Sequence, residues 1–263
     1  IFDRRPESKS MNLIQKVPSV FIAICFALIF TKFYFLYTHE YYEPSNSVNM
    51  ANFEADKVFQ KRIMPIIFAK TISIIGLNLQ QSLKVFCVIN CVALLYGFRS
   101  LLQTTTKKNV NLTFAYFLFL PVGWNYFVIN SIYHSYDLPT LTFFCWGLVF
   151  FIQKRFLAFY LLYVIACFNR ESTCFITIAL FATQIQISKS VSIRNFCLTN
   201  QSILLQCFAQ SIIWLLIKFY LEYIFRDNPG SFYESTFSIK QFIIDIWHGN
   251  PSWPYLDTTK FLG

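Results

Sequence analysis

Charged side chains are scarce in these 263 residues: Asp, Glu, Lys and Arg make up 13%, about half the share of an ordinary soluble domain. Glycine (7) and proline (9) are also few, so little interrupts the apolar runs. There is no Cys-x-x-Cys and no clear internal repeat. The first shortage excludes a soluble globular class, which could not hide so much apolar surface. The missing repeat weighs against a transporter built from duplicated halves. What is present is the complement: 56% hydrophobic residues, 32 phenylalanines and a mean hydropathy of +0.47. Several long runs must lie in lipid, so the chain reads as an integral membrane protein.

The net charge is +9. Its lysines and arginines fall in short clusters between apolar runs, as positive-inside anchoring distributes them. No basic face interleaved with exposed aromatics occurs, which excludes nucleic acid as a partner. The eight cysteines sit in or at the edges of apolar runs. Cys87 and Cys91 share a helical face, but no His or acid at ligand spacing joins them, so the cysteines read as small apolar packing residues.

A helix needs about 20 apolar residues to cross the hydrocarbon core. The first run, Val17 to about Tyr37, follows Arg4, Arg5, Lys9 and Lys16, which places residues 1–16 in the cytoplasm. No small-residue cleavage site follows it, so it is a retained anchor. The loop 39–78 ends in "IMPIIFAKTISIIG", which is short, begins near Pro65 and carries Lys70. It reads as an interfacial helix. Six further spans follow: Leu79–Leu102, Leu112–Ile129, Leu138–Ile152, Phe156–Phe168, Thr173–Ile187 and Ser202–Phe225. With these boundaries every basic cluster between spans is cytoplasmic, and residues 226–263 lie outside. The expected fold is an all-α, polytopic bundle of about seven spans over 17–225. The start at Ile1 and the end at Gly263 read as those of a piece of a longer membrane protein.

This topology gathers polar groups at the outer face. The first loop supplies Glu40, Glu43, Glu54, Asp56, Lys57, Lys61 and Arg62. Later loops supply His134, Tyr136 and Asp137, then Asn169, Arg170 and Glu171, and the terminal stretch adds Asp245 and His248. Carboxylates able to act as a general base thus lie near basic groups able to bind phosphate. Each has a plainer reading. The loop acids suit simple solvation, Asp137 suits a helix start before Pro139, and Arg170 with Glu171 suits a local ion pair. Charges at membrane depth nevertheless tend to face a polar interior, which favours a function for the "NRES" turn.

A first span, a long acidic outer loop closing in a Pro-led surface helix, and many short spans resemble the GT-C class of membrane glycosyltransferases. "FQKRIMPIIFAKTISIIGLNLQQSLKVFCVINCVALL" resembles the second jaw helix running into the next span. "YDLPTLTFFCWGLVFFIQKR" and "LLYVIACFNRESTCFITIAL" resemble later spans of bacterial members, the second near their N-R-E-T variants. The resemblance covers roughly 17–225. It implies a sugar donor on a polyprenyl phosphate, an acceptor at the outer face of a bacterial inner (plasma) membrane, and one loop carboxylate as base. Glu40, Glu43, Glu54 and Asp56 all remain candidates for that base. Arg62, Asp137, Arg170, Glu171 and His248 are the substrate-binding candidates. Some members use a divalent metal and others none, and no ligand spacing here decides between them. The competing expectation is a non-enzymatic membrane protein, a transporter or a scaffold subunit.

Overall fold

The computed structural model describes residues 13–38, 46–125, 127, 134–185 and 197–229. Among these the chain is helical, without a strand. The elements are α1 (Leu13–Tyr37), α2 (Ser47–Asn52), α3 (Lys57–Gln60), α4 (Met64–Ser73), α5 (Leu79–Thr106), α6 (Leu112–Trp124), α7 (Asp137–Ile152), α8 (Phe156–Asn169), α9 (Cys174–Gln184) and α10 (Gln201–Ile224). A single 3-10 turn, Glu171–Thr173, joins α8 to α9.

Helix ends follow local chemistry. Asn78 and Gln81 form a reciprocal capping box at the start of α5, satisfying two amides that would otherwise lack acceptors. Asn46 and Asn111 cap α2 and α6 with their side chains. Lys107 after α5 and Lys154 after α7 have positive φ, the left-handed turn that ends a helix.

Among the described residues three helices are long and apolar enough to cross a membrane: α1 over Ser19–Tyr37, α5 and α10. Their outward side chains are apolar, as with Phe21, Leu36, Phe208 and Phe219, each more than 60% exposed. A soluble helix would show the reverse, so this is the surface of an integral membrane protein. Of the other four expected spans, α7, α8 and α9 are helical but shorter, with 16, 14 and 11 residues, and α6 is helical over its described 13 residues. Sixteen residues rise only about 24 Å, less than the roughly 30 Å hydrocarbon core.

α5 is the hub, packed against α1, α4, α6 and α7. A main core of Ala27, Phe30, Cys91, Leu94, Phe119 and Leu138 lies among α1, α5, α6 and α7. Gly97 permits close approach there, since a Cβ would meet the Trp146 indole at 3.1 Å. Trp146 Nε1 also donates to the Ala93 carbonyl at 2.8 Å. A second core joins α7 to α10 through Phe159, Tyr163, Ile176, Leu180 and Ile203. All eight cysteines are free thiols, and four are buried.

Contacts also order the helix directions. Thr142 bonds to Asn90, Trp146 to Ala93 and Gln153 to Thr104, so α5 and α7 run parallel. Thr177 meets Tyr163 and Cys207, and Glu171 meets Trp214, so α9 runs antiparallel to α8 and α10. The ends of α8 and α10 therefore lie with the start of α7, on the side of the first loop.

Candidate functional site

The first loop folds under its own side chains. Gln60, fully buried, accepts from the Ala55 amide at 3.2 Å and donates to the Met50 carbonyl at 3.1 Å. Met50, Ala51, Ala55 and Ile66 then pack on Tyr136 from the turn before α7. The end of α10 clasps the same loop. Lys57 pairs with Glu222 at 2.6 Å, and Lys61, almost fully buried, pairs with the other carboxylate oxygen. Asn228 donates to the Phe53 and Ala55 carbonyls, and the Lys57 amide donates to Pro229.

This clasp sets Arg62, between α3 and α4, against the start of α7. The Arg62 guanidinium carbon lies 4.3 Å from the Tyr136 ring centroid, and that of Arg170 lies 5.5 Å from the same centroid. Arg170 follows α8 in extended backbone, which breaks the helix before the 3-10 turn. Thr173 closes the break by donating to the Ala166 and Arg170 carbonyls. Arg170 Nη1 donates to Asp137 Oδ1 at 2.6 Å. Its partner is thus the acid 33 positions earlier and not the adjacent Glu171. Asp137 is the first residue of α7, after the N-cap Tyr136, and its carboxylate takes the Arg170 guanidinium.

Asn169 is buried and donates to the Tyr136 carbonyl at 2.9 Å and to the Thr140 hydroxyl at 2.9 Å. These bonds fix the amide and leave its Oδ1 without a donor among the described residues. His134 stacks on Tyr136, with centroids 5.1 Å apart, and on Phe59 at 6.3 Å. Burial, then Arg62 and Arg170, push its pKa down to about 4. The imidazole is therefore neutral at pH 7. Burial raises the Asp137 carboxyl, against the pull of Arg170 and Arg62. Among the described residues no carboxylate lies within ion-pair distance of Arg62. Two guanidiniums thus share one ring while the carboxylate pairs with Arg170 alone, a net positive, half-buried cradle.

The neutral histidine carries a pH consequence. Its folded pKa lies below the unfolded value, so the unfolded chain binds more protons between about pH 6.5 and pH 4. Stability contributed by neutral His134 should be present above that window and be lost as pH falls through it, by on the order of 2 kcal/mol at pH 4.5. Thermal unfolding in detergent at pH 7.5 and 4.5 checks this. His134→Phe keeps the stack and should lose less on acidification than the wild type; an equal loss would assign the acid sensitivity elsewhere.

The structure brings together Arg62, Asp137 and Arg170 of the expected site. Glu171 lies beside them in sequence but gives its backbone carbonyl to Trp214 Nε1 at 2.9 Å. Of the base candidates, Glu54 is exposed, and Asp56 is largely buried at the start of α3. Glu40, Glu43 and His248 lie outside the described residues. Among the described residues no three His, Cys, Asp or Glu side chains are grouped to hold a metal ion. Sequence reasoning missed Gln60 and Glu222. Glu222 is the lone acid in the apolar run of α10, and a lone acid at membrane depth asks for a partner. No protein-family model, curated protein or solved structure matches the chain.

Proposed function

We propose that the chain is a GT-C-like membrane glycosyltransferase of about seven membrane segments, with a cytoplasmic N-terminus in a bacterial inner membrane. On this reading it transfers a sugar from a polyprenyl phosphate to an acceptor at the outer face. One observation carries the reading: Arg62 and Arg170 converge on Tyr136, with Asp137 paired to Arg170. Planar guanidiniums match phosphate oxygens two at a time, and a preorganised cation stabilises a phosphate that gains charge as it departs. α4 fits an interfacial helix, since Ile67, Ile74 and Ile75 lie exposed beside it or on it. One loop acid, from Glu40, Glu43, Glu54 and Asp56, would take the acceptor proton.

The competing reading is a non-enzymatic membrane protein. It draws on the Asp137–Arg170 pair, which a purely structural hairpin would also make.

Binding in nanodiscs separates the two. Wild-type chain should hold a polyprenyl phosphate at least about tenfold more tightly than the matching polyprenol, as charge-assisted hydrogen bonds imply. Arg62→Ala should erase that difference, and Arg170→Lys should reduce it by losing the planar fork. Amide replacement of the acting base should lower transfer by about 10²–10⁴. Equal affinity for phosphate and alcohol in the wild type would reject the donor site, and full transfer in all four amide variants would reject the base.

A further inference from the structure

α1 and α6 both pack on α5, and they meet each other through aromatic rings. Phe26 and Phe30 lie edge-on to Phe119, with centroids 5.4 Å and 4.8 Å away. Outside these rings the two helices leave an open groove of about 740 Å³, within the usual range for ligand sites. Ile29 and Phe33 of α1 form one bank, and Phe117, Leu120 and Trp124 of α6 form the other. All five are between 43% and 65% exposed, whereas Phe30 and Phe119 beneath them are buried. Gly123 also lines the groove. A Cβ there would stand 3.6 Å from Phe127 and 4.0 Å from Phe30, which is ordinary contact, so the glycine leaves space without relieving a clash.

The groove continues a lipid-facing surface, since α1 crosses the membrane with apolar side chains outward. Hydrocarbon fills it, because an empty groove would forfeit the dispersion contacts of its lining. Width decides which hydrocarbon. From Tyr116 to Phe127, both in the lining, the chain rises about 16 Å, so the mean cross-section is about 45 Å². A helix with side chains is about 10–12 Å across and covers roughly 80–110 Å², too thick to enter. An alkyl chain is about 4–5 Å across, so two fit side by side.

A cation stands at the rim. Lys32 is exposed, precedes Phe33, and is the one charged residue of the span Ser19–Tyr37. It lies about 8 Å of helix from the end of the span, a distance over which an ammonium snorkels to the headgroups. Among the described residues no carboxylate lies within ion-pair distance of it. Tyr37, stacked on Phe33 at 5.8 Å, carries the same bank to that end.

We propose that the α1–α6 groove seats one anionic phospholipid, its two acyl chains between Phe33 and Trp124 and its phosphate against Lys32. The site is independent of the transferase reading.

Native mass spectrometry of the delipidated full chain, titrated with phosphatidylglycerol or phosphatidylcholine, tests it. One phosphatidylglycerol per chain should survive activation that strips the others, favoured about fivefold over phosphatidylcholine through the one lysine. Lys32→Gln should abolish that preference. Gly123→Phe puts a ring where the chains lie and should cut retention about tenfold, whereas Leu28→Phe, at an exposed position outside the groove lining, should leave it unchanged. Retention untouched by Gly123→Phe, or the chain before delipidation carrying an isoprenoid or a second copy of itself there, overturns the proposal. Should Gly123→Phe fail to fold, fluorescence of the unmodified protein decides. Quenching by dibrominated phosphatidylglycerol, in the part that Trp124→Phe removes, should saturate near one lipid per chain. A rise without saturation overturns the site.

Discussion

Replacing Glu222 by leucine should release the first loop from the bundle. Lys61 is 3% exposed and Lys57 14%, and Glu222 is the acid that neutralises both. Removing one partner of a buried pair leaves a charge that neither water nor protein stabilises. The expected cost is about 3 kcal/mol, the low end of the range for buried pairs because Glu222 itself is a quarter exposed. Protease sensitivity between Phe53 and Arg62, together with thermal unfolding in detergent, reads the effect. The double variant Lys61→Met, Glu222→Met should recover most of the loss, since it removes the stranded charge along with its partner. A single variant as stable as wild type, or a double variant no better than the single, would show that the clasp does not hold the loop.

Gln60→Leu should be nearly as damaging by a different route. The side chain satisfies one backbone donor at Ala55 and one backbone acceptor at Met50, all of it buried. Leucine fits the volume but leaves both groups unpaired, at about 1–3 kcal/mol each. Gln60→Glu keeps the acceptor and loses the donor, so it should fall between wild type and leucine. Faster hydrogen exchange at the Ala55 amide is the local signature. Because Tyr136 packs on the Met50–Ile66 cluster, the loosened loop should also carry Arg62 away from Arg170. Phosphate binding should then weaken although no guanidinium is touched. Unchanged exchange at Ala55 would assign its protection to packing instead.

Residues whose behaviour depends on near neighbours were legible before any tertiary contact. The run Phe156–Phe168 is helical because its side chains are apolar throughout, and the break after it falls at Arg170. The apolar run from Leu79 placed the start of α5, where Asn78 and Gln81 form its capping box. Partners far apart in sequence were not legible. Arg170 has Glu171 next to it, and proximity in sequence suggested that pair. An extended residue followed by a tight turn sends adjacent side chains apart, and the hairpin packing delivers Asp137 instead. Asp137 looked like a helix cap, but with Arg170 within reach its carboxylate makes the stronger, charge-assisted bond.

By itself the sequence determined that the chain is helical, that its long apolar runs belong in lipid, and where most helices begin. These are properties of hydropathy and capping, which act over a few residues. Only the tertiary structure decided which polar side chains meet. It alone also joined Lys57 and Lys61 to Glu222 across more than 160 positions and set two arginines against one tyrosine. The physical reason is common to all of these. An apolar residue needs only to leave water, which its neighbours in sequence already arrange, whereas a charge or an amide needs a particular atom at hydrogen-bond distance, and packing alone chooses that atom.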